Sequence, residues 1–144
     1  MGLDQTIRRV RDHDNEEIDA MESTIPGDSY YMRKHNHIQQ WIEDNVGFPE
    51  NCEDTSLTLE DLQNLVRDLK AVAKAYNTSL EKGEKVAKEK MSTSTGFFFG
   101  DTQYDDYYLN KIKHDIENLE AMLDKAENDA AKGENVKFAY WCWW

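Results

Sequence analysis

The last nine residues, "VKFAYWCWW", constrain the fold of this chain more than any other stretch. Val136, Phe138, Tyr140 and Cys142 alternate with Lys137, Ala139, Trp141 and Trp143. A period of two, built from aromatic and branched side chains, is the pattern of a strand. One strand leaves its backbone donors and acceptors unpaired and is not stable alone. A partner must therefore come from elsewhere in the chain. Residues 2–10, where Leu3, Ile7 and Val10 suit a helix or a strand, are the best candidate. Pairing the two ends resolves that ambiguity towards a strand.

Between the ends the spacing predicts helices. "DSYYMRKHNHIQQWIEDNVG" reads as one helix, capped by Asp28 or Ser29 and ended by Gly47. Its apolar stripe is Tyr31, Ile38, Trp41, Ile42 and Val46. Ahead of it, residues 14–29 form a turn-rich connector broken at Pro26-Gly27, and residues 47–57 form a loop. A second helix starts at Thr58 and runs to about Asn77, with Leu62, Leu65, Val66, Leu69, Val72 and Tyr76 on one face. "LEKGEKVAKEKM" is a short exposed helix or a mobile connection, interrupted by Gly83. A third helix starts at Thr102, with a Thr102–Asp105 capping box, and fades near Gly133. Tyr104, Tyr108, Ile112, Ile116, Leu119, Leu123 and Ala126 line it. The expectation is one α+β domain over 1–144: about three α-helices packed on a small antiparallel sheet formed by the N- and C-terminal segments. The alternative is an all-α bundle with a frayed aromatic tail.

Composition narrows the partners. The chain has 144 residues and a net charge of −12, carried mostly by its two ends. Such a field repels nucleic acid, so direct binding to a DNA or RNA backbone is excluded and basic partners are favoured. No stretch approaches the ~20 apolar residues of a membrane helix. The N-terminus has no apolar signal core, and "MGLDQT" matches a myristoylation signal only weakly. The expected location is cytoplasmic, and there Cys52 and Cys142 are expected as free thiols.

Two groups of residues suggest binding. In "YYMRKHNHIQQW", Arg33 and His37 share a helix face at i, i+4, with Lys34 beside them and Tyr30 and Trp41 extending it. Such a face suits a phosphate or carboxylate, with Arg forking onto the anion. Its plainer reading is that Arg33 and Lys34 pair with the protein's own acids, for example Asp105 or Asp106, and Trp41 is core. In "GFFFGDTQYDDYY", Gly96 and Gly100 permit positive φ or close backbone approach. Phe97, Phe98 and Phe99 then form either a buried plug anchoring the third helix or, with Tyr104, an aromatic platform for a base. The full anion-binding set is Arg33, Lys34, Asn36, His37, Trp41, Phe97, Phe98, Phe99 and Tyr104.

A second surface is acidic. Glu117, Glu120, Asp124 and Glu127 form a row along the third helix, with Asp106 near its start. It either mimics a nucleic-acid backbone towards a basic groove or is a solvated flank; Asp68 would extend it. Metal and catalytic motifs are absent. Asp105 and Asp106 point about 100° apart on a helix. His35 and His37 lack the i, i+4 spacing of a helical zinc pair. No catalytic residues, metal ligands or cofactors are expected.

Four segments together resemble a widespread group of small, mostly uncharacterised phage proteins: "MGLD" at 1–4, "YMRKHNHIQQW" at 31–41, "GFFFGDTQYDDYY" at 96–108 and "YWCWW" at 140–144. After MGLD the group has an aromatic-rich strand, whereas this chain has "QTIRRVRD". The resemblance implies phage or prophage origin, and so the cytoplasm of a host cell, but no biochemical function. Three functions compete: a stoichiometric inhibitor of a host defence protein with a basic surface; a binder of a nucleotide or other small anion; and an enzyme using His37 with an acidic partner. The exposed tryptophans of "WCWW" also suggest a homodimer through the C-terminal segment.

Overall fold

The computed structural model describes residues 2–10, 27–96 and 99–144. It is an α+β fold with element order β1 (Asp4–Val10), β2 (Ser29–Arg33), α1 (Asn36–Asn45), β3 (Asp54–Thr58), α2 (Leu59–Thr78), α3 (Leu80–Lys90), α4 (Asp106–Ala131) and β4 (Lys137–Trp143). The strands form one antiparallel sheet in the order β2-β1-β4-β3. The two terminal segments are its inner strands, paired as expected, with Ile7 opposite Tyr140 and Gln5 opposite Cys142.

The alternation of β4 sets the two faces. Phe138, Tyr140 and Cys142 are buried and meet Leu3, Ile7, Met32 and Leu57 from the other strands. The apolar stripes of α1, α2 and α4 close over them in one continuous core. The opposite face carries Tyr31, Arg8, Trp141 and Trp143. On that face Arg8 reaches past the small Ala139 of β4 to form a two-pronged pair with Asp54 of β3, at 2.8 and 2.6 Å.

Several expectations are corrected. Residues 28–47 are not one helix: Ser29–Arg33 is an edge strand, and α1 begins only at Asn36. Lys34 separates them with φ 59°, a left-handed conformation that no helix continues through. Tyr30 and Met32 face the core and Tyr31 and Arg33 face outward, a two-residue period hidden by apolar residues on both faces. The expected loop 47–57 contains β3, which buries only Leu57 among its five residues and so shows little alternation.

The start of α2 stands where expected. Thr58 and Asp61 exchange side-chain and backbone hydrogen bonds at 2.9 and 3.0 Å. The "LEKGEKVAKEK" stretch is a full helix, α3, making four helices rather than three. Gly83 does not interrupt it. A Cβ there would lie 2.4 Å from the Tyr76 ring of α2, so glycine lets the two helices touch. For α4 the cap is Asp105 itself, accepting from the Tyr108 amide at 3.1 Å, rather than a Thr102 box. The connector at 14–26 lies outside the described residues.

Candidate functional site

A carboxylate sits at the centre of the fold. Asp115 falls on the apolar stripe of α4, four residues before Leu119 and three after Ile112, and is fully buried. Its Oδ2 is 2.6 Å from Nε2 of His37, and its Oδ1 is 2.7 Å from Nδ1 of His35. Tyr30 of β2 donates to Oδ1 at 2.6 Å, and its hydroxyl lies 2.9 Å from Nδ1 of His114. Burial alone would push the Asp115 carboxyl up. The imidazoles of His37 and His35 and their hydrogen bonds override it and hold it at about 2, so the group stays ionised. Burial pulls His37 down despite that neighbour. The Tyr30 phenol is pushed far up by burial and by Asp115.

His37 also lines a small cleft of about 20 Å³, room for about one water. Asn36 and the partly buried Lys34 and Lys111 line it, the exposed Asp101, Gln103 and Asp105 edge it, and Thr93, Tyr107 and Tyr108 complete it. The 93–105 loop is tied across this opening by Asn36. Its Nδ2 donates to the carbonyls of Phe99 and Asp101 at 3.0 and 2.9 Å, and its Oδ1 accepts from the Ser94 amide at 3.1 Å. Gly100, at φ 90°, brings the loop backbone against Lys34, where a Cβ would meet that side chain at 3.2 Å. Lys111 is partly buried and donates to the Lys34 carbonyl at 3.1 Å. Burial lowers its pKa, opposed by Asp101, Asp115 and Asp105 and assisted by the Lys34 charge.

Of the expected anion-binding residues, Lys34, Asn36 and His37 meet in this cleft. Arg33 does not: strand alternation turns it to the outer face, so the shared helix face with His37 is corrected. Among the described residues neither Arg33 nor Lys34 is ion-paired with Asp105 or Asp106, the two acids named as examples. Trp41 is buried in the core, its indole donating to Asp68 at 2.9 Å. Phe99 packs edge-on against Trp144, at 5.4 Å between ring centres, and belongs to the core margin. Phe97 and Phe98 lie outside the described residues. Tyr104 packs edge-on against Tyr108 and accepts from the Thr93 amide at 3.1 Å, pinning the loop.

The acidic row is partly tied down. Glu120 pairs with Lys70 at 2.6 Å, and Glu127 accepts from Gln63 at 3.2 Å, both on α2. Asp106, Glu117 and Asp124 are exposed. Asp68 is buried under Trp41, so it does not extend the row. Cys52 and Cys142 are free thiols. Trp143 is 49% exposed, whereas Cys142 is fully buried. No described helix is long and apolar enough to cross a membrane.

Sequence reasoning missed Asp115 and Lys111. For Asp115 the signal was present: a carboxylate at a stripe position of a long amphipathic helix is out of place unless partnered. Its partners stand 78 and 80 residues away, which no local pattern reveals. Compared with protein-family models, curated proteins and solved structures, the chain matches none.

Proposed function

We propose that the chain is a binding protein that captures a small ligand in the cleft over His37. The ligand carries a phosphate or carboxylate at one end and hydrogen-bond donors at the other. The observation that carries this reading is that Lys34, the partly buried Lys111 and His37 line one cleft together with the exposed Asp101 and Asp105. Lysines lining a cleft favour an anionic group in it, and partial burial strengthens that attraction over its value in water. The rim carboxylates repel an anion and attract donors, so a ligand with both ends fits better than inorganic phosphate alone. The cleft is small, about 20 Å³, so it takes a single charged end of the ligand and the remainder lies outside it.

The test is a thermal-shift screen of phosphate, small dicarboxylates, amino acids and nucleoside monophosphates. A hit raises the melting temperature by an amount that grows with the logarithm of ligand concentration above its Kd. Lys111→Gln abolishes the shift, and Glu117→Lys with Asp124→Lys leaves it unchanged. A hit that survives Lys111→Gln sinks the assignment.

A second reading keeps the acidic flank of α4 as the contact for a basic host protein, as in a stoichiometric inhibitor from a phage. The exposed Glu117 and Asp124 favour it, and the pairing of Glu120 and Glu127 weakens it. Loss of a captured partner on Glu117→Lys, unaffected by Lys111→Gln, distinguishes this reading from the first. Self-association is a separate proposal, resting on the half-exposed Trp143 and Tyr31 of the outer sheet face. A Trp143→Ser variant with an unchanged mass in solution removes it.

A further inference from the structure

We propose that His35, His37 and Asp115 form a binding site for a first-row divalent transition-metal ion, zinc in the first instance. The three side chains each present one donor atom, and these atoms lie within 4.8 Å of one another. All three residues are buried, Asp115 completely. Two imidazole nitrogens and one carboxylate oxygen are the ligand chemistry such ions select, and three protein ligands leave a fourth position for water or a bound molecule.

The spacing that argues against a shared ion on a regular helix does not apply here. His35 is the N-cap of α1, with φ −83° and ψ 66°, and only His37 lies inside the helix. The break in backbone direction, together with the use of Nδ1 from one ring and Nε2 from the other, lets residues two apart converge on one carboxylate. Asp115 arrives from the middle of α4, so the site staples two elements.

The present distances of 2.7 and 2.6 Å are those of hydrogen bonds. An ion with bonds of about 2.0–2.1 Å in tetrahedral geometry holds its donors about 3.3 Å apart. His35 meets Oδ1 and His37 meets Oδ2. The pair whose oxygen becomes the ligand must therefore open by roughly 0.6 Å, while the other ring nitrogen turns towards that same oxygen within the 4.8 Å the three donor atoms already span. The ion takes the place of the proton between each ring nitrogen and the carboxylate, and each neutral ring carries its proton on its other nitrogen. Tyr30 holds Oδ1 of Asp115 at 2.6 Å, the kind of outer partner that fixes a ligand's orientation. The Tyr108 ring stands edge-on to His37, at 5.4 Å between centres. Of the three ligands, His37 is the one that lines the cleft.

The experiment uses the full chain, stripped with chelator, and the metal alone, so it does not depend on what the cleft holds. Cobalt(II) titration is expected to give one ion per chain with visible bands of a low-coordinate site, displaced by zinc. Zinc is expected to raise the melting temperature. His37→Gln should weaken binding at least about tenfold, and His114→Ala, outside the ligand set, should leave the stoichiometry unchanged. Asp115→Asn removes a buried charge and risks unfolding, so the unsubstituted chain decides first. A stripped chain that takes up no stoichiometric cobalt or zinc overturns the proposal. So does a folded His37→Gln variant that binds as tightly as the parent, since the ion would then sit among surface carboxylates.

Discussion

The side-chain amide of Asn36 donates to the Phe99 carbonyl at 3.0 Å and so holds the far side of the 93–105 loop against the first turn of α1. The same amide group makes two further bonds, to the Asp101 carbonyl and from the Ser94 amide. One buried residue thereby shapes the whole rim of the cleft. Asn36→Ala is expected to cost about 2–3 kcal/mol, because three loop groups lose a partner at roughly 1 kcal/mol each. Urea denaturation reads the loss. Limited proteolysis should shift to residues 93–101, and a variant as stable and as resistant as the parent would show that the loop is held by its aromatic packing alone.

The contact between α2 and α3 makes a sharper prediction. Replacing glycine by alanine inside a helix normally stabilises by about 1 kcal/mol. At Gly83 the new Cβ would stand 2.4 Å from the Tyr76 ring, so the sign reverses. Gly83→Ala is expected to destabilise by about 1–3 kcal/mol through overpacking. Adding Tyr76→Ala removes the obstruction, and the double variant should be more stable than the sum of the single effects implies. Strict additivity in a double-mutant cycle would refute the steric account.

Alkaline pH should weaken the fold. Burial pushes the Cys142 thiol up from 9.0 to about 11 and the Tyr140 phenol well above its ordinary value. Both groups keep their protons in the folded chain at pH values where the unfolded chain releases them. Their stabilisation is complete below about pH 9 and is lost as pH rises towards about 11. The midpoint of urea unfolding should fall between pH 9 and 10.5, and Cys142→Ala should flatten that dependence. A flat profile in the unsubstituted chain contradicts it.

The two thiols should differ in reactivity. Cys52 is exposed and Cys142 is buried. At neutral pH an alkylating reagent should modify one site per folded chain, at Cys52, and the second only after denaturation. Peptide mapping by mass spectrometry identifies the site, and equal labelling of both would mean that β4 opens readily.

How much of this was legible in the residues varies by element. The start of α2 was readable because Thr58 and Asp61 are local partners three residues apart. The terminal strands were readable from the alternation of Phe138, Tyr140 and Cys142 and the need for a partner. The strand Ser29–Arg33 was hidden by two circumstances. Tyr31 is apolar on an outward face, and the break at Lys34 rests on a left-handed backbone in a residue that carries no such preference. In the site, Lys34, Asn36 and His37 were readable as a local group. Arg33 was assigned to the wrong side because a helical period was applied to a strand. Asp115 and Lys111 join the group only through tertiary contacts across 78 and 77 residues.

The inner strands of the sheet, β1 and β4, come from opposite ends of the sequence, with Ile7 opposite Tyr140. During synthesis, β1 therefore waits for β4 until all the residues between them have been made. At 5–20 residues per second that delay is on the order of ten seconds. The helices have time to form and cluster first, while the edge of β1 stays open to any other strand in the cell. A nascent chain stalled before Phe138 would carry that edge exposed, and chaperone engagement should end only when the aromatic tail is released.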